Sequence, residues 1–438
     1  MNVKFSLNFT VSFLILTSLI LILSCFGFSP VIFHFFCFFI LSKIVKQDKL
    51  LILCCYLLAT LVMIFFYHYW LILYENSYFL GLKSDDFYFD YVWSENFVEN
   101  FGLDFRELPY HLDKIEPGLG FLHNSKAYVA IIIVLKYFSS HFDGYHTFLP
   151  RILNIFFLTL LAYYSSLITF EYSKNSKLRK LTFLAVIFFP VLMFNSAHVF
   201  RDTIISFFLI WIYYSILKNK YSAQSFIQIL ISLFFLLFLR TTTFFISILM
   251  IFILYSNIKK INFKLFFVFS VFCILSFFYL NSFIVKSVIQ FEAYNSLNPI
   301  RFGTIGGKIF SIPIQYGFIS RIIYLIFTPV ISVTSFHQFF VSTTSIIQIL
   351  IFPYLISSFR VKYIDLKLKL VFLIFFLGVA FTTADFRHVT MYLPFGIILC
   401  ILAIDKLPEY GFSKKKYYML LFGLIVSFFF NLIFIYLF

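Results

Sequence analysis

A series of long apolar runs, repeated along the whole chain of 438 residues, constrains this fold more than any other sequence feature. A transmembrane helix needs about 20 consecutive, mostly apolar residues. Each run is therefore a candidate membrane span. The candidates are 8–26, 30–43, 50–73, 148–172, 181–198, 203–217, 224–239, 242–257, 264–285, 338–359, 370–384, 389–404 and 417–437.

Composition supports the same class of protein. Apolar residues make up 62% of the chain, and charged residues only 12%, against about 25% charged residues in an ordinary soluble domain. This chain has too few polar side chains to form the surface of a soluble fold. The sequence predicts an all-α, polytopic protein of about 13 transmembrane helices, within a range of about 11–14. Residues 1–438 are expected to form a single membrane domain.

The net charge of +15 has a topological cause, because Lys and Arg occur in short clusters between the apolar runs. Basic loops face the cytoplasm in membrane proteins, and no basic domain stands apart to bind nucleic acid. All of these clusters lie on one side only if residues 127–138 and 321–335 do not cross the membrane. Those two segments are predicted to be interfacial or re-entrant at the outer face.

This topology leaves two long outer loops, 75–147 and 286–337, and three short outer turns that carry Arg201, Arg240 and Arg387. Arg321 lies within the second loop. A charged residue at membrane depth usually faces a cavity or a partner. Guanidinium groups bind phosphate in a bidentate way and stay charged when desolvated. The pattern therefore favours a shared anion site, and a pyrophosphate is the ligand that suits it.

Simpler interpretations of these arginines stay open. Each side chain could extend from a helix end to the membrane surface. Arg201 also adjoins Asp202, and Arg387 adjoins Asp385, so local ion pairs would explain both residues. Arg240 has no acidic neighbour along the chain.

Candidate acid–base groups lie in the outer regions as well. Asp85 and Asp86 follow the third apolar run, where burial among aromatic residues would raise a carboxylate pKa toward the range of a general base. Alternatively, Ser84 or Asp85 caps a helix. His388 is a further candidate for proton transfer, since it adjoins Arg387. No spacing of ligands predicts a metal site.

Several short segments resemble two related groups of membrane enzymes. Ser84-Asp85-Asp86-Phe-Tyr-Phe-Asp90 resembles the first outer loop of C-type, polyprenyl-phosphate-dependent glycosyltransferases. Leu149-Pro-Arg-Ile-Leu-Asn154 and the segment Phe189–Asp202 are similar to parts of Wzy-type O-antigen polymerases. The resemblance covers roughly residues 80–260.

The resemblance to Wzy-type polymerases implies a function. Such an enzyme joins oligosaccharide repeat units, carried on undecaprenyl pyrophosphate, at the periplasmic face of the bacterial inner membrane. The resemblance also implies that pyrophosphate is held by Arg201, Arg240, Arg321 and Arg387. Asp85, Asp86 or His388 would deprotonate the attacking hydroxyl. Sugar rings would stack on Tyr88, Tyr91 and Trp93. Expected partners are the lipid-linked oligosaccharide, membrane lipid, a chain-length regulator and a flippase, and no cofactor is expected.

Two other functions stay open. A C-type glycosyltransferase would use a sugar carried on polyprenyl monophosphate, and a divalent cation is expected only for that alternative. The first outer loop is longer than the second, which favours this alternative. A transporter or flippase of lipid-linked sugar should carry charges on both sides of the membrane, whereas the arginines gather on one.

Overall fold

The computed structural model of the protein describes residues 2–73, 87–103, 107, 111, 125–219, 221–256, 314–327, 336–382, 386–404 and 406–437. These residues form helices joined by short turns, and no strand occurs among them. The predicted all-α class is confirmed for this part of the chain.

The first half of the chain supplies α1 (Asn2–Phe26), α2 (Phe28–Ile44), α3 (Lys49–Leu73), a π-helical turn (Tyr88–Trp93), α4 (Ser94–Phe101), α5 (Lys126–Ser139), α6 (Leu149–Ser173), α7 (Ser176–Ile187), α8 (Pro190–Ser196) and α9 (Asp202–Asn219). The second half supplies α10 (Ala223–Leu239), α11 (Thr241–Tyr255), α12 (Ile314–Phe327), α13 (Phe336–Ser358), α14 (Leu366–Thr382), a 3₁₀ turn (Phe386–Met391), α15 (Leu393–Ile404), a second 3₁₀ turn (Leu407–Tyr410) and α16 (Lys414–Leu437).

Several helices are long and apolar enough to cross a membrane. Four pass this test, and a fifth is added if α7 and α8 are taken as one bent span. The four are Lys49–Tyr69, Leu149–Ser173, Phe340–Ser358 and Lys414–Ile433. The predicted count of about 13 spans is not confirmed, because six further apolar helices have only 10–17 residues. The candidate span 264–285 lies outside the described residues.

The candidate span 181–198 is not one straight helix. Its two parts, α7 and α8, are bent by 53° relative to each other. Pro190 begins α8 and has no backbone N–H to donate to a carbonyl four residues earlier, so the helical hydrogen bonding stops there. The bend directs α8 against α6 and against the 3₁₀ turn Phe386–Met391.

Helix α6 is the centre of the bundle and contacts α2, α3, α7, α9 and α15. Several of its buried Ser and Thr side chains are satisfied, because they donate to carbonyls of the preceding turn. Thr159 donates to the Ile155 carbonyl at 2.9 Å, and Ser166 donates to the Tyr163 carbonyl at 2.6 Å. Small polar residues of this kind let helices approach closely inside an apolar bundle.

The bundle has two chemically different ends. At one end, α6, α9, α11 and α15 begin and α8 and α10 finish; we call it the site end. The opposite end carries the Lys-rich clusters, including Lys174 after α6 and Lys218 in the last turn of α9. Helix α5 lies across the site end, since Ser125 before its first turn contacts Arg201 and Lys136 near its last turn lies over the Tyr145 ring.

Asp143 caps the first turn of α2 from a distant turn at the site end. Its carboxylate accepts hydrogen bonds from the backbone N–H groups of Phe28 and Ser29 and from the Ser29 hydroxyl. Burial alone would raise the pKa of Asp143, but these hydrogen bonds outweigh it and hold the pKa below its ordinary value. The first N–H groups of a helix have no partner within the helix, so the carboxylate stabilises α2.

We expect Asp143→Ala to lower the stability of the protein at neutral pH by about 1 kcal/mol, the usual loss for a removed cap. Because the folded state lowers the pKa of Asp143, its contribution is present above the ordinary carboxyl pKa and is lost as the pH falls through the folded value. Thermal unfolding in detergent at neutral and acid pH measures this. The two proteins should converge in acid, and a difference that does not depend on pH would contradict the capping role.

Candidate functional site

Three turns of the site end bring together three of the predicted anion-binding arginines. Arg201 precedes α9, Arg240 lies between α10 and α11, and Arg387 lies in the 3₁₀ turn before α15. Helices of opposite direction alternate here, so residues far apart in sequence share one end. The exposed fractions of Arg201 and Arg240 are only 5% and 7%. Charges shielded from water in this way interact more strongly than exposed charges.

A carboxylate, a guanidinium and an imidazole meet at the centre of this end. Asp202 Oδ1 lies 3.4 Å from a terminal nitrogen of Arg240 and 3.8 Å from Nε2 of His388. The other terminal nitrogen of Arg240 lies 3.5 Å from Nδ1 of His388. Arg240 has no acidic neighbour in the sequence, and the fold supplies one. The sequence offered Asp202 as a partner of the adjacent Arg201. In the structure, Asp202 at the start of α9 contacts Arg240 between α10 and α11.

Aromatic rings hold the other two guanidinium groups. Arg201 lies over the Phe89 ring, 5.5 Å from its centroid, and donates a hydrogen bond to the Ser125 hydroxyl. Arg387 lies over the Phe200 ring at 4.9 Å. A ring face attracts a cation without neutralising it. Aromatic rings therefore help to position both guanidinium groups at the site end.

The predicted sugar-binding aromatics lie next to Arg201. Tyr88, Tyr91 and Trp93 belong to the π-helical turn that also carries Phe89, the ring under Arg201. The Trp93 ring packs against those of Tyr88 and Phe89 at 5.7 and 5.3 Å between centroids. Tyr91 is 58% exposed. The turn therefore places aromatic rings beside a cation.

Two side chains on one face of α6 hold the backbone of the turn before Arg201. Arg151 Nε donates to the Ala197 carbonyl at 3.1 Å. Asn154 Nδ2 donates to the carbonyls of His198 and Phe200 at 2.7 and 2.9 Å. Residues three apart on a helix face the same side. Arg151 and Asn154 thus fix the turn from which Arg201 and Asp202 project.

The turn that carries Arg387 and His388 is fixed in a similar way. The Arg387 carbonyl accepts hydrogen bonds from Asn195 Nδ2 at 3.2 Å and from the Thr390 hydroxyl at 2.9 Å. Asn195 lies on α8, so the bend at Pro190 places it against this turn. The backbone on either side of the cluster is therefore held by buried amides and hydroxyls.

A second buried polar group adjoins the first. Asp90 accepts a hydrogen bond from the Tyr145 hydroxyl, and it is 3% exposed. Burial raises the pKa of Asp90 above its ordinary value, and the hydrogen bonds from Thr147 and Tyr145 and the positive charges of Arg151 and Lys136 only partly oppose that effect. Lys136 also pairs with Glu95. These contacts join α4, α5 and α6 beside the aromatic turn Tyr88–Trp93.

The remaining predicted site residues have different outcomes. Arg321 lies on α12, which packs against α13, α14 and α16, whereas the cluster lies on α9 to α11 and the turn before α15. Asp85 and Asp86 lie outside the described residues. In the part of the chain that the structure describes, no group of three or more His, Cys, Asp or Glu side chains is arranged to hold a metal ion.

Arg151 was not among the site residues predicted from the sequence. Its side chain is 1% exposed, and its guanidinium also lies over the Tyr67 ring at 5.2 Å. The available signal was its position in the first turn of a long apolar helix, directly after Pro150. A charge there requires partners, as at Arg240.

We expect Arg151→Met to destabilise the protein by about 2–4 kcal/mol, because it leaves the carbonyls of Ala197 and Thr147 without their buried donor. The exposed Arg360 provides the matched control, and Arg360→Met should leave stability nearly unchanged. Thermal unfolding in detergent, together with the amount of folded protein in membranes, measures both variants. Equal stability of the two variants would show that Arg151 does not hold this turn.

Comparison of the chain with protein-family models, with curated proteins and with solved structures found no significant match.

Proposed function

We propose that the protein polymerises oligosaccharide repeat units carried on undecaprenyl pyrophosphate, at the periplasmic face of a bacterial inner membrane. The observation that carries this proposal is the gathering of Arg201, Arg240 and Arg387 with His388 and Asp202 at one end of the bundle. Several guanidinium groups held by a buried scaffold suit a ligand with more than one negative charge. A lipid diphosphate carries such a charge at the membrane surface.

The chemical step is a glycosyl transfer. The growing chain is linked through its anomeric carbon to a diphosphate oxygen, and this bond breaks. A hydroxyl of the incoming repeat unit attacks that carbon and forms the new glycosidic bond. Its proton passes to a base, for which His388, Asp85 and Asp86 are the candidates. The electron pair of the broken bond leaves with the undecaprenyl diphosphate, whose charge the arginines stabilise.

The membrane arrangement is part of the proposal. The site end is the periplasmic end, since the Lys-rich clusters at the opposite end fit the cytoplasmic side. The short apolar helices and the chain outside the described residues would complete a total of about 13 spans, with α5 and α12 as outer interfacial or re-entrant segments. Membrane lipid, a flippase that delivers the units and a chain-length regulator are the proposed partners.

A C-type glycosyltransferase is the second candidate function. The contact of Phe89 with Arg201 favours it, because Phe89 belongs to the segment that resembles these enzymes and lies beside the cation cluster. Such an enzyme would take a single sugar from polyprenyl monophosphate. Arg321 lies on α12, which is a different element from the three turns that carry the other arginines.

Deletion of the gene separates these functions. Loss of a polymerase should reduce surface polysaccharide to single repeat units and should cause diphosphate-linked single units to accumulate. Loss of a C-type transferase should leave long chains that lack one sugar. Unchanged polysaccharide, in length and in sugar content, would contradict both functions. Electrophoretic banding of the polysaccharide and mass spectrometry of the lipid-linked units provide the two measurements.

A further inference from the structure

We propose that Asp202 is an internal counterion of the anion site: it holds Arg240 and orients His388, and it gives up Arg240 when a diphosphate binds. This inference rests on the proposed function and deepens it. It assigns a positioning role to a residue whose sequence suggested only a local ion pair with Arg201.

The geometry shows that Asp202 stands where an anion would. Its Oδ1 atom lies 3.4 Å from the Arg240 guanidinium and 3.8 Å from His388 Nε2. The exposed fraction of Asp202 is 4%, that of Arg240 is 7% and that of His388 is 8%. A carboxylate resembles one face of a phosphate in charge and in spacing of oxygens. Asp202 therefore contacts, through its Oδ1 atom, the guanidinium that a substrate phosphate would bind.

The contacts also fix the proton of His388. A guanidinium has N–H donors and no acceptor. The Arg240 nitrogen 3.5 Å from His388 Nδ1 therefore requires Nδ1 to accept. A neutral imidazole with an accepting Nδ1 carries its proton on Nε2. That nitrogen is the one that faces Asp202. The basic lone pair of His388 is thus directed at Arg240.

The three groups come from different elements, and one hydroxyl ties two of these together. Ser206 donates to the Asp202 carbonyl at 2.8 Å and to the Thr390 carbonyl at 3.0 Å. This joins the first turn of α9 to the 3₁₀ turn that carries His388. Arg240 is extended between α10 and α11, with φ −165° and ψ 102°. Asp202 and His388 therefore form one fixed corner, and Arg240 approaches it from another pair of helices.

Diphosphate binding would change which group contacts Arg240. A diphosphate has more negative charge than a carboxylate and attracts Arg240 away from Asp202 and from His388 Nδ1. The freed Nδ1 then accepts the proton of the attacking hydroxyl, and Asp202 stabilises the imidazolium that results. Binding of the leaving group and activation of the base are thereby coupled through Arg240. The base is available only when a diphosphate is present.

The test measures binding of inorganic pyrophosphate to the purified full-length protein in detergent, by calorimetry. We expect Asp202→Asn to bind pyrophosphate about tenfold more tightly than the wild type, the scale of one charge-assisted hydrogen bond. The same variant should lose polymerisation. If Asp202 had a purely structural role, the substitution would weaken both pyrophosphate binding and polymerisation. Asp202→Glu keeps the charge and should bind close to wild type, whereas Arg240→Ala should lose binding.

Each other outcome has a defined meaning. Unchanged or weaker binding by Asp202→Asn, in a protein whose wild type binds pyrophosphate, overturns the counterion role and leaves the proposed function standing. Weak binding by both the Asn and the Glu variants, with a lower unfolding temperature, also overturns it, because Asp202 would then be structural. No binding by wild type overturns both the counterion role and the diphosphate site.

Discussion

Arg240→Ala is expected to reduce surface polysaccharide to single repeat units while the amount of protein in the membrane stays unchanged. The buried guanidinium contacts Asp202 and His388. A preorganised donor lost from a site of this kind typically lowers the rate by about 10²–10³-fold. Arg240→Lys should restore only part of the chain length, because a single ammonium cannot make bidentate contacts. Polysaccharide banding in a deletion strain that expresses each variant measures the effect.

Two controls make the Arg240 result specific. Arg360 is exposed in the described structure and belongs to no part of the cluster, so Arg360→Ala should give full-length chains. Arg201→Ala removes a second guanidinium, held at the Phe89 ring and Ser125, and should also yield single units. Long chains in both the Arg240 and the Arg201 variants, at normal protein level, would rule out the anion site.

His388→Ala has the second largest expected effect. A general base contributes about 10²–10⁴-fold to the rate of a proton-transfer step, so turnover should fall by that order. Pyrophosphate binding should persist, because Arg201, Arg240 and Arg387 remain. The variant therefore separates loss of catalysis from loss of ligand, and the two are measured on the same purified protein by product analysis and calorimetry.

The exposed His141 serves as the matched histidine control. His141→Ala removes an imidazole at the same end of the bundle, since its residue follows α5, and it should leave turnover unchanged. A His388→Ala variant with wild-type turnover would transfer the role of base to the acidic motif at Asp85 and Asp86. Loss of both turnover and pyrophosphate binding would indicate instead that His388 supports the structure of the site.

Much of the arrangement was predictable from charge and length. Placing each basic cluster on one side forces Arg201, Arg240 and Arg387 to the other, since a single span separates each cluster from an arginine turn. The structure gathers these turns at one end and adds the aromatic turn at Tyr88–Trp93 beside them. The sequence pattern was sufficient here because membrane topology leaves few alternatives.

Contacts between side chains on different helices were not predictable from the sequence in the same way. The contact between Asp202 and Arg240 depends on how α9 and α10 pack, and one sequence contains no direct signal for such a pair. Arg151 was missed for a similar reason, because its role depends on the turn of residues 197–200 that it holds. The bend between α7 and α8 was missed because an apolar run hides the effect of Pro190.

The number of membrane spans was hard to predict from the sequence for a different reason. Hydropathy counts apolar runs, but a run of 10–17 residues does not by itself distinguish a buried helix from a membrane span. Helix α15 illustrates this, since almost every residue of Leu393–Ile404 is buried within the bundle. Its apolar sequence is explained equally well by contacts with α6, α13 and α14.

Reconstitution of the purified protein in lipid vesicles with a defined carrier tests the diphosphate chemistry most directly. One sample receives repeat units linked to polyprenyl diphosphate, and a second receives the same sugars on polyprenyl monophosphate. The expected result is a ladder of polymerised units and release of free polyprenyl diphosphate in the first sample only. Transfer from the monophosphate carrier alone, or no product from either carrier, would contradict a guanidinium site built for a lipid diphosphate.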